Sequence, residues 1–212
     1  MLYAERGRIE NLIRDLFRPA MKKLIWALEL KRWKAGTLPV PHIIKQKSIV
    51  KYAKANQIGV LIETGTCVGD MAWAMRNIFN YIYTIELSEN LVWEARRRLG
   101  KYGNITIIEG DSTCKLRDLA NAIREPCIFW LDSHYSGGVT VGSNDNIPII
   151  HELDIILARN NNHDIILVDD VCDLERAGID VNDLMLLAER SQCAWKSKVL
   201  NNMIIMNCCH EI

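Results

Sequence analysis

The stretch that decides the fold reads Val60-Leu61-Ile62-Glu63-Thr64-Gly65-Thr66-Cys67-Val68-Gly69-Asp70. An apolar run ends in the carboxylate of Glu63, and two glycines then bracket a tight turn before a helical pattern begins at Met71. A buried strand followed by a glycine turn and a helix allows the backbone to approach a ligand closely. A phosphate-binding turn does not usually carry a carboxylate at its strand end, so Glu63 favours a ligand with a cationic amino-acid group.

From residue 58 onward, short apolar runs alternate with amphipathic segments, which is typical of a parallel sheet covered by helices on both faces. The runs 193–200 and 203–207, joined by Asn201-Asn202, predict a terminal antiparallel hairpin. The sequence therefore predicts an α/β, Rossmann-like fold with a mostly parallel seven-stranded sheet. The predicted parallel strands are 59–63, 81–86, 105–109, 127–132 and 165–169, and the helices between them are 69–78, 88–101, 113–124, 147–159 and 180–190.

The first sixty residues are strongly basic, with thirteen Lys and Arg against four Asp and Glu, although the whole chain has a formal net charge of zero. Residues 5–34 predict one or two helices, and 36–41 predict a linker before another helix over 44–55. We expect an N-terminal basic helical extension, 1–41, that forms a lid or a dimer contact, and a main domain, 42–212. The basic surface suits an anionic substrate, a membrane surface or nucleic acid, or is only a solvated helical face.

The seven cysteines are odd in number and scattered, and none forms a CxxC pair. The cluster Cys208-Cys209-His210 lacks a second spaced ligand pair, so a zinc site is not predicted. This cysteine usage is typical of a reduced, cytoplasmic protein. No apolar run has the roughly 18 residues that span a bilayer, and charges near the N-terminus argue against a signal peptide.

Acidic and small polar residues follow each predicted parallel strand, at the edge where ligands bind in open α/β sheets. Glu86 follows Gly65 by twenty-one residues, the spacing at which an acceptor for ribose hydroxyls is expected. The other strand ends carry Asp111, Asp132 and the pair Asp169-Asp170. Asp and Ser after a strand commonly cap the next helix, but five such strand ends together favour a binding site.

The segments 63–69, Glu86 and Gly110-Asp111-Ser112 resemble the cofactor site of class I S-adenosylmethionine-dependent methyltransferases, and the resemblance extends over 58–208. The terminal hairpin is also a signature of that fold. The resemblance implies that Glu63 binds the ammonium of the methionine moiety, that Glu86 binds the ribose hydroxyls and that Asp111 binds the adenine. The turn lacks the third glycine of the dinucleotide-binding pattern. The implied cofactor-binding residues are Glu63, Thr64, Gly65, Thr66, Gly69, Glu86, Leu87, Gly110, Asp111, Ser112 and Asp132.

A narrower resemblance concerns Asp132, Asp169 and Asp170. Three converging carboxylates repel one another unless they are protonated or bridged by a cation, and oxygen ligands suit Mg²⁺. The pattern is similar to that of metal-dependent, macrocin-type sugar O-methyltransferases, in which the corresponding carboxylates bind the metal. A catalytic Asp of those enzymes corresponds to His134, whose imidazole, with an ordinary pKa of about 6.5, can accept a hydroxyl proton. The alternative is that Asp169-Asp170 caps the next helix and that His134 is a loop residue.

These features predict methyl transfer from S-adenosylmethionine to a hydroxyl of a sugar, glycan or related small molecule, with His134 and Asp132 as catalytic residues and a divalent metal, Mg²⁺, assisting. The glycine-rich segment 135–146 is predicted to be a substrate-side loop. The alternatives are a non-catalytic module that binds S-adenosylmethionine and an NAD-dependent oxidoreductase on a similar sheet. We expect an anionic acceptor rather than nucleic acid, and a homodimer; the basic N-terminus leaves peripheral membrane contact open.

Overall fold

The computed structural model describes Met21 and residues 24–132, 148–193 and 195–208. Seven strands in these ranges form one sheet: β1 (Val60–Thr64), β2 (Tyr81–Glu86), β3 (Ile105–Glu109), β4 (Cys127–Leu131), β5 (Ile165–Val168), β6 (Trp195–Leu200) and β7 (Met203–Cys208). Their order across the sheet is β3-β2-β1-β4-β5-β7-β6. Strands β1 to β5 are parallel, and β7 is antiparallel to both of its neighbours. The predicted mostly parallel sheet with a terminal hairpin is confirmed.

Helices cover both faces of this sheet, as predicted. Side chains of α1, α2, α3 and α4 pack on one face, and side chains of α5, α6, α7 and α8 pack on the other. Within the described ranges the helices are α1 (24–32), α2 (His42–Ala55), α3 (Asp70–Met75), α4 (Glu89–Leu99), α5 (Ser112–Ala122), α6 (Pro148–Leu157), α7 (Val171–Arg176) and α8 (Val181–Glu189). None of the helices in this described part is both long enough and apolar enough to cross a membrane.

Two apolar cores result from the alternation of side chains along the strands. Leu61 of β1 belongs to the core that contains Ile49 of α2, whereas the next residue, Ile62, belongs to the core that contains Leu116 of α5 and Leu153 of α6. Every residue of the central strands β1, β4 and β5 is buried. Such continuous apolar runs are expected of parallel strands that are covered on both faces.

Helix α1 contacts the first of these cores through a single large side chain. Trp26 is 8% exposed, and its ring stacks on His42 with the ring centroids 4.8 Å apart. Other apolar side chains of α1, those of Leu24, Ile25 and Leu28, are exposed. The division into 1–41 and 42–212 stays a prediction, although Trp26 joins α1 to the core of the main domain.

The carboxyl ends of the central parallel strands are aligned at one edge of the sheet. Thr64 of β1 pairs with Leu131 of β4, which pairs with Val168 of β5. The hydrogen bonding continues one residue further, because the Asp132 N–H donates to the Thr64 carbonyl at 3.1 Å and the Asp169 N–H donates to the Leu131 carbonyl at 2.9 Å. The residues that follow β1, β4 and β5 therefore lie side by side. The strand order reverses between β1 and β4, where a ligand-binding crevice is expected.

The structure differs from the sequence expectations in two helices. The helix predicted over 69–78 ends at Met75, and the chain continues in turns to Phe79. Helix α7 was not predicted, because six residues are too few for a helical periodicity to be visible in the sequence. The predicted catalytic residue His134, the predicted loop 135–146 and the segment before Leu24, apart from Met21, lie outside the described residues.

Candidate active site

The glycine turn after β1 folds back onto β2. The N–H groups of Gly65 and Thr66 both donate to the carbonyl of Ile85, at 3.0 and 3.1 Å. Gly69, which ends the turn, has a φ of 75° and packs on α4 so closely that an added Cβ would lie 2.5 Å from Leu99 Cδ1. Only glycine adopts this backbone conformation without strain and leaves room for Leu99. The turn is thus fixed by its sequence at the edge where the strand order reverses.

Glu63, the last side chain of β1 on the α2 and α3 side of the sheet, is a buried carboxyl group. It is 1% exposed, and its Oε2 accepts a hydrogen bond of 2.6 Å from the Thr84 hydroxyl, which is itself 2.5 Å from the hydroxyl of Thr66. Burial, assisted by repulsion from Asp132, raises the pKa of Glu63 to about 8. A buried acid at this edge is well suited to bind a cationic group, since the cation compensates the charge that burial disfavours.

Glu86, at the end of β2, joins the glycine turn to the next loop. Its Oε2 accepts from the N–H of Cys67 at 2.7 Å, and its Oε1 accepts from the N–H of Ser88 at 2.9 Å. An ionised carboxylate has about four acceptor positions, so these two bonds leave capacity for ligand hydroxyls. The neighbouring Leu87 is 73% exposed beside this carboxylate, and it offers an apolar surface to a flat ring.

The segment Gly110-Asp111-Ser112 lies at the end of β3, next to Glu86. The Gly110 N–H donates to the Glu86 carbonyl at 2.9 Å. Asp111 is the N-cap of α5, because its Oδ1 accepts from both the N–H and the hydroxyl of Thr113, and these hydrogen bonds lower its pKa. The capping interpretation that the sequence left open therefore applies to Asp111. Its exposed position at the strand edge is also compatible with the predicted adenine contact.

Thr64 connects the site to the opposite face of the sheet. Its hydroxyl donates to Glu152 Oε2 on α6 at 3.2 Å, and both side chains are fully buried. Its backbone carbonyl accepts from the N–H of Asp132. Asp132 therefore lies beside the glycine turn, which is consistent with its predicted contact to the cofactor.

The three acidic residues predicted as metal ligands converge. One carboxylate oxygen from each of Asp132, Asp169 and Asp170 lies within 4.8 Å of the others. The Asp169 carboxylate is buried, and its Oδ1 accepts from the N–H of Asp170 at 2.8 Å. Burial, followed by repulsion from Asp132, raises the pKa of Asp169 to about 7, although Lys45 acts in the opposite direction. Asp170 has a φ of 48° and stands at the N-cap position of α7, but its side chain makes no capping hydrogen bond to that helix.

A lysine that sequence reasoning missed lies against this acidic cluster. The ammonium of Lys45, on α2, donates to Asp169 Oδ2 at 2.6 Å and to Asp170 Oδ1 at 2.8 Å, and its side chain is 11% exposed. Burial lowers the pKa of Lys45, but the charges of Asp169 and Asp170 and the hydrogen bonds to them outweigh this effect, so the pKa is raised. A contact of 2.6 Å favours the ionised form of both partners.

The sequence did contain a signal for Lys45. The residue stands four positions before Ile49, seven before Tyr52 and eight before Ala53, which are all buried. It thus occupies the apolar stripe of an amphipathic helix, where a lysine requires a buried partner.

Asn202 is a further residue of the site whose role the sequence did not reveal. In the sequence it served only as a turn signal. Its Nδ2 donates to Asp170 Oδ1 at 3.1 Å, and its Oδ1 accepts from the N–H of Cys172 at 2.9 Å. The turn of the β6–β7 hairpin therefore supports the loop that carries the acidic pair. No local pattern could have indicated this contact, since it joins residues 32 positions apart.

Several solved structures are similar to this chain. A proposed caffeoyl-CoA O-methyltransferase from Staphylococcus aureus is 13% identical over 90% of this chain and 100% of that chain, with a TM-score of 0.60. A proposed O-methyltransferase from Klebsiella pneumoniae is 14% identical over 98% and 97% of the two chains, with a TM-score of 0.58. An O-methyltransferase from Bacillus cereus, in complex with S-adenosylhomocysteine, is 14% identical over 94% and 96%, with a TM-score of 0.56.

At these identities the likeness is one of fold. No protein-family model matches the chain, and no curated protein matches it either. The similar structures cover 90%, 98% and 94% of this chain, whose fold is a mostly parallel sheet with a terminal hairpin. The predicted resemblance to class I S-adenosylmethionine-dependent methyltransferases is therefore confirmed, and this chain has their fold.

Proposed function

We propose that the protein transfers a methyl group from S-adenosylmethionine to a hydroxyl oxygen. One observation carries the proposal: the carboxyl groups of Glu63 and Glu86 flank the glycine turn at the edge where the strand order reverses. In this arrangement Glu63 binds the ammonium of the methionine moiety and Glu86 binds the ribose hydroxyls. The methyltransferases of similar fold, one of them in complex with S-adenosylhomocysteine, support the same cofactor.

The remaining cofactor contacts follow from the neighbouring strand ends. Gly65, Thr66 and Gly69 would lie along the methionine moiety, Leu87 and Asp111 would contact the adenine, and Asp132 would lie between the cofactor and the acceptor. The sulfonium is intrinsically reactive, so the tasks of the protein are to align the acceptor oxygen and to take up its proton. His134 stays the predicted proton acceptor, with Asp132 as its catalytic partner.

Two of the three predicted metal ligands are already paired with a basic side chain. Three carboxylates provide the oxygen ligands that Mg²⁺ prefers. The ammonium of Lys45, however, already contacts one oxygen of Asp169 and one of Asp170. The cluster therefore does not fit a resident divalent ion while Lys45 pairs with both acids. Assistance by Mg²⁺ stays a prediction of the sequence.

The proposed chemistry of the methyl acceptor rests on the charge of the first sixty residues and not on the geometry of an acceptor site. The excess of nine basic residues in the first sixty positions supports an anionic hydroxyl compound, such as a sugar phosphate or a glycan. Nucleic acid stays the less favoured acceptor, because the sequence contains no Asn-Pro-Pro-Tyr motif of the kind that amino methyltransferases use. A homodimer formed through the basic extension, 1–41, a peripheral membrane contact of that segment and a cytoplasmic location are also proposals.

Calorimetric titration with S-adenosylhomocysteine tests the cofactor site. We expect the purified protein to bind it, and we expect Glu86→Gln to weaken binding by about tenfold or more, because a charge-assisted hydrogen bond to the ribose is lost. The matched control is Glu109→Gln: Glu109 is the register partner of Glu86 on β3, but its side chain is 44% exposed and paired with Arg96. The control should bind as the parent protein does.

Three outcomes would contradict the proposal in different ways. Binding of NAD without binding of S-adenosylhomocysteine would favour the oxidoreductase alternative. Equal losses in Glu86→Gln and Glu109→Gln would remove the specific role of Glu86. Cofactor binding without methyl transfer to any hydroxyl acceptor, including anionic sugars, would favour the non-catalytic module.

A further inference from the structure

The ion pairs of Lys45 indicate how the charge of the acidic cluster is compensated in the proposed active site. The ammonium lies 2.6 Å from Asp169 and 2.8 Å from Asp170, and the side chains of Lys45 and Asp169 are 11% and 2% exposed. A lysine that is this deeply buried between two carboxylates is a part of the site and not a surface ion pair of small effect.

The surrounding hydrogen bonds fix the two carboxylates in the orientation that receives Lys45. Asp169 Oδ1 accepts a hydrogen bond from the Asp170 N–H at 2.8 Å. The other oxygen, Oδ2, faces Lys45. Asp170 uses the same Oδ1 for Lys45 and for the amide of Asn202. Two elements that are distant in sequence, α2 and the β6–β7 turn, therefore converge on this oxygen.

Lys45 already contacts one oxygen of Asp169 and one of Asp170, two of the three acids that converge. A magnesium ion bound to Asp169 or Asp170 lies about 2.1 Å from its ligand oxygens, which would bring it close to the ammonium on the same carboxylates. Two cations at such a separation repel each other strongly in a buried site. The ammonium, unlike a free ion, is attached to α2 and is present whenever α2 is packed on the sheet.

We propose that Lys45 is the resident cation of the Asp132–Asp169–Asp170 cluster and takes the position that a divalent metal would occupy. The inference deepens the proposed function and rests on it for the role of the cluster beside the acceptor. Lys45 acts as a positioning residue: it compensates the charge of Asp169 and Asp170 and keeps their oxygens in place. Methyl transfer then requires no added divalent ion.

A titration with Mn²⁺ tests whether Lys45 excludes a divalent ion from the cluster. The loss of the electron paramagnetic resonance signal of the free ion measures the binding. We expect the parent protein to bind no Mn²⁺ at this cluster. We expect Lys45→Ala to gain one Mn²⁺ site per molecule, because the competing charge is gone while the three carboxylates remain. Adding Asp132→Asn to Lys45→Ala should abolish the gained site, which identifies the cluster as the place of binding.

Two matched variants test whether a positive charge at position 45, and not any lysine of α2, excludes Mn²⁺. Lys45→Arg keeps a cation at the cluster and should bind no Mn²⁺. Lys47→Ala removes an exposed lysine of the same helix and should behave as the parent protein does. Circular dichroism of each variant verifies that it is folded.

Two results would overturn the inference. If the parent binds Mn²⁺ and Asp169→Asn abolishes that binding, the cluster is a metal site in spite of Lys45. If folded Lys45→Ala gains no Mn²⁺ binding, Lys45 is not what excludes the ion. Neither readout requires turnover, so failure of the inference is distinguishable from failure of the proposed function, which the titration with S-adenosylhomocysteine reports.

Discussion

Glu63 is a buried acid whose protonation state we propose to depend on the bound cofactor. The carboxyl group is 1% exposed and has a pKa of about 8, well above the ordinary value of 4.5, so it is predominantly protonated at pH 7. Ionisation is disfavoured mainly because water cannot reach the group. A ligand ammonium that enters beside Glu63 supplies the missing compensation and lowers this pKa. On the proposed function, we expect the neutral acid of the free protein to become a carboxylate in the complex.

The first prediction at this scale concerns proton release. Binding of S-adenosylhomocysteine at pH 7 should release close to one proton from Glu63, because the pKa falls from about 8 to below the pH of the solution. Calorimetric titrations in two buffers of different ionisation enthalpy measure the number of protons. Glu63→Gln, which cannot ionise, should bind more weakly and release almost none. An equal proton count in both proteins would show that Glu63 is not the group that responds.

At the scale of the element, the glycine turn depends on the close packing of Gly69 against α4. Gly69 has a positive φ, and the position of a Cβ at this residue overlaps with the buried side chain of Leu99. Both the backbone and the neighbouring helix therefore require glycine. The same contact fixes the end of the turn between β1 and α3, where the methionine moiety is proposed to bind.

The corresponding prediction is a loss of stability in Gly69→Ala. We expect the free energy of unfolding to fall by about 2 kcal/mol or more, since strain and overlap act together. Chemical denaturation with urea measures the change. Gly103→Ala is the matched control, because an added Cβ meets no atom within 4 Å there. If both variants lost the same stability, the contact with Leu99 would not be the cause.

The β6–β7 hairpin gives a second prediction at this scale. Asn201 and Asn202 both have positive φ values, 52° and 59°, as a two-residue hairpin turn requires. Glycine tolerates this conformation, so Asn202→Gly removes only the side-chain bonds to Asp170 and Cys172. It should cost about 1–2 kcal/mol of unfolding free energy, whereas Asn201→Gly should be nearly neutral. Equal effects in urea denaturation would mean that the side chain of Asn202 contributes nothing.

At the scale of the whole molecule, the sheet was predictable because its information is local. Each strand from Val60–Thr64 to Ile165–Val168 is a short apolar run, and Asn201-Asn202 is a strong hairpin signal. Each acidic residue at a strand end is also a local signal. Parallel strands bring their carboxyl ends to one edge of the sheet, so the convergence of these acids was predictable. The local pattern does not show which side chain pairs with each acid.

Lys45 and Asn202 illustrate that limit. Their contacts with the acidic pair join positions 124 and 32 residues apart, and only the packing of α2 and the hairpin on the sheet creates them. The carboxylates at the strand ends predict a metal site, and no local pattern shows that two of them pair with a lysine of a distant helix. The lysine on the apolar stripe of α2 was the one local sign of this arrangement.

The separation of Lys45 from Asp169 along the chain also bears on the order of folding. A contact between residues 124 positions apart closes a long loop, whose entropic cost is met only after nearer contacts have formed. Helix α2 directly precedes β1 and shares its apolar core, so Lys45 reaches the sheet together with β1. Its contacts with Asp169 and Asp170 can form only when β5 and the residues after it join the sheet. We therefore expect the acidic pair to gain its ammonium partner in the same step that adds β5 to the sheet.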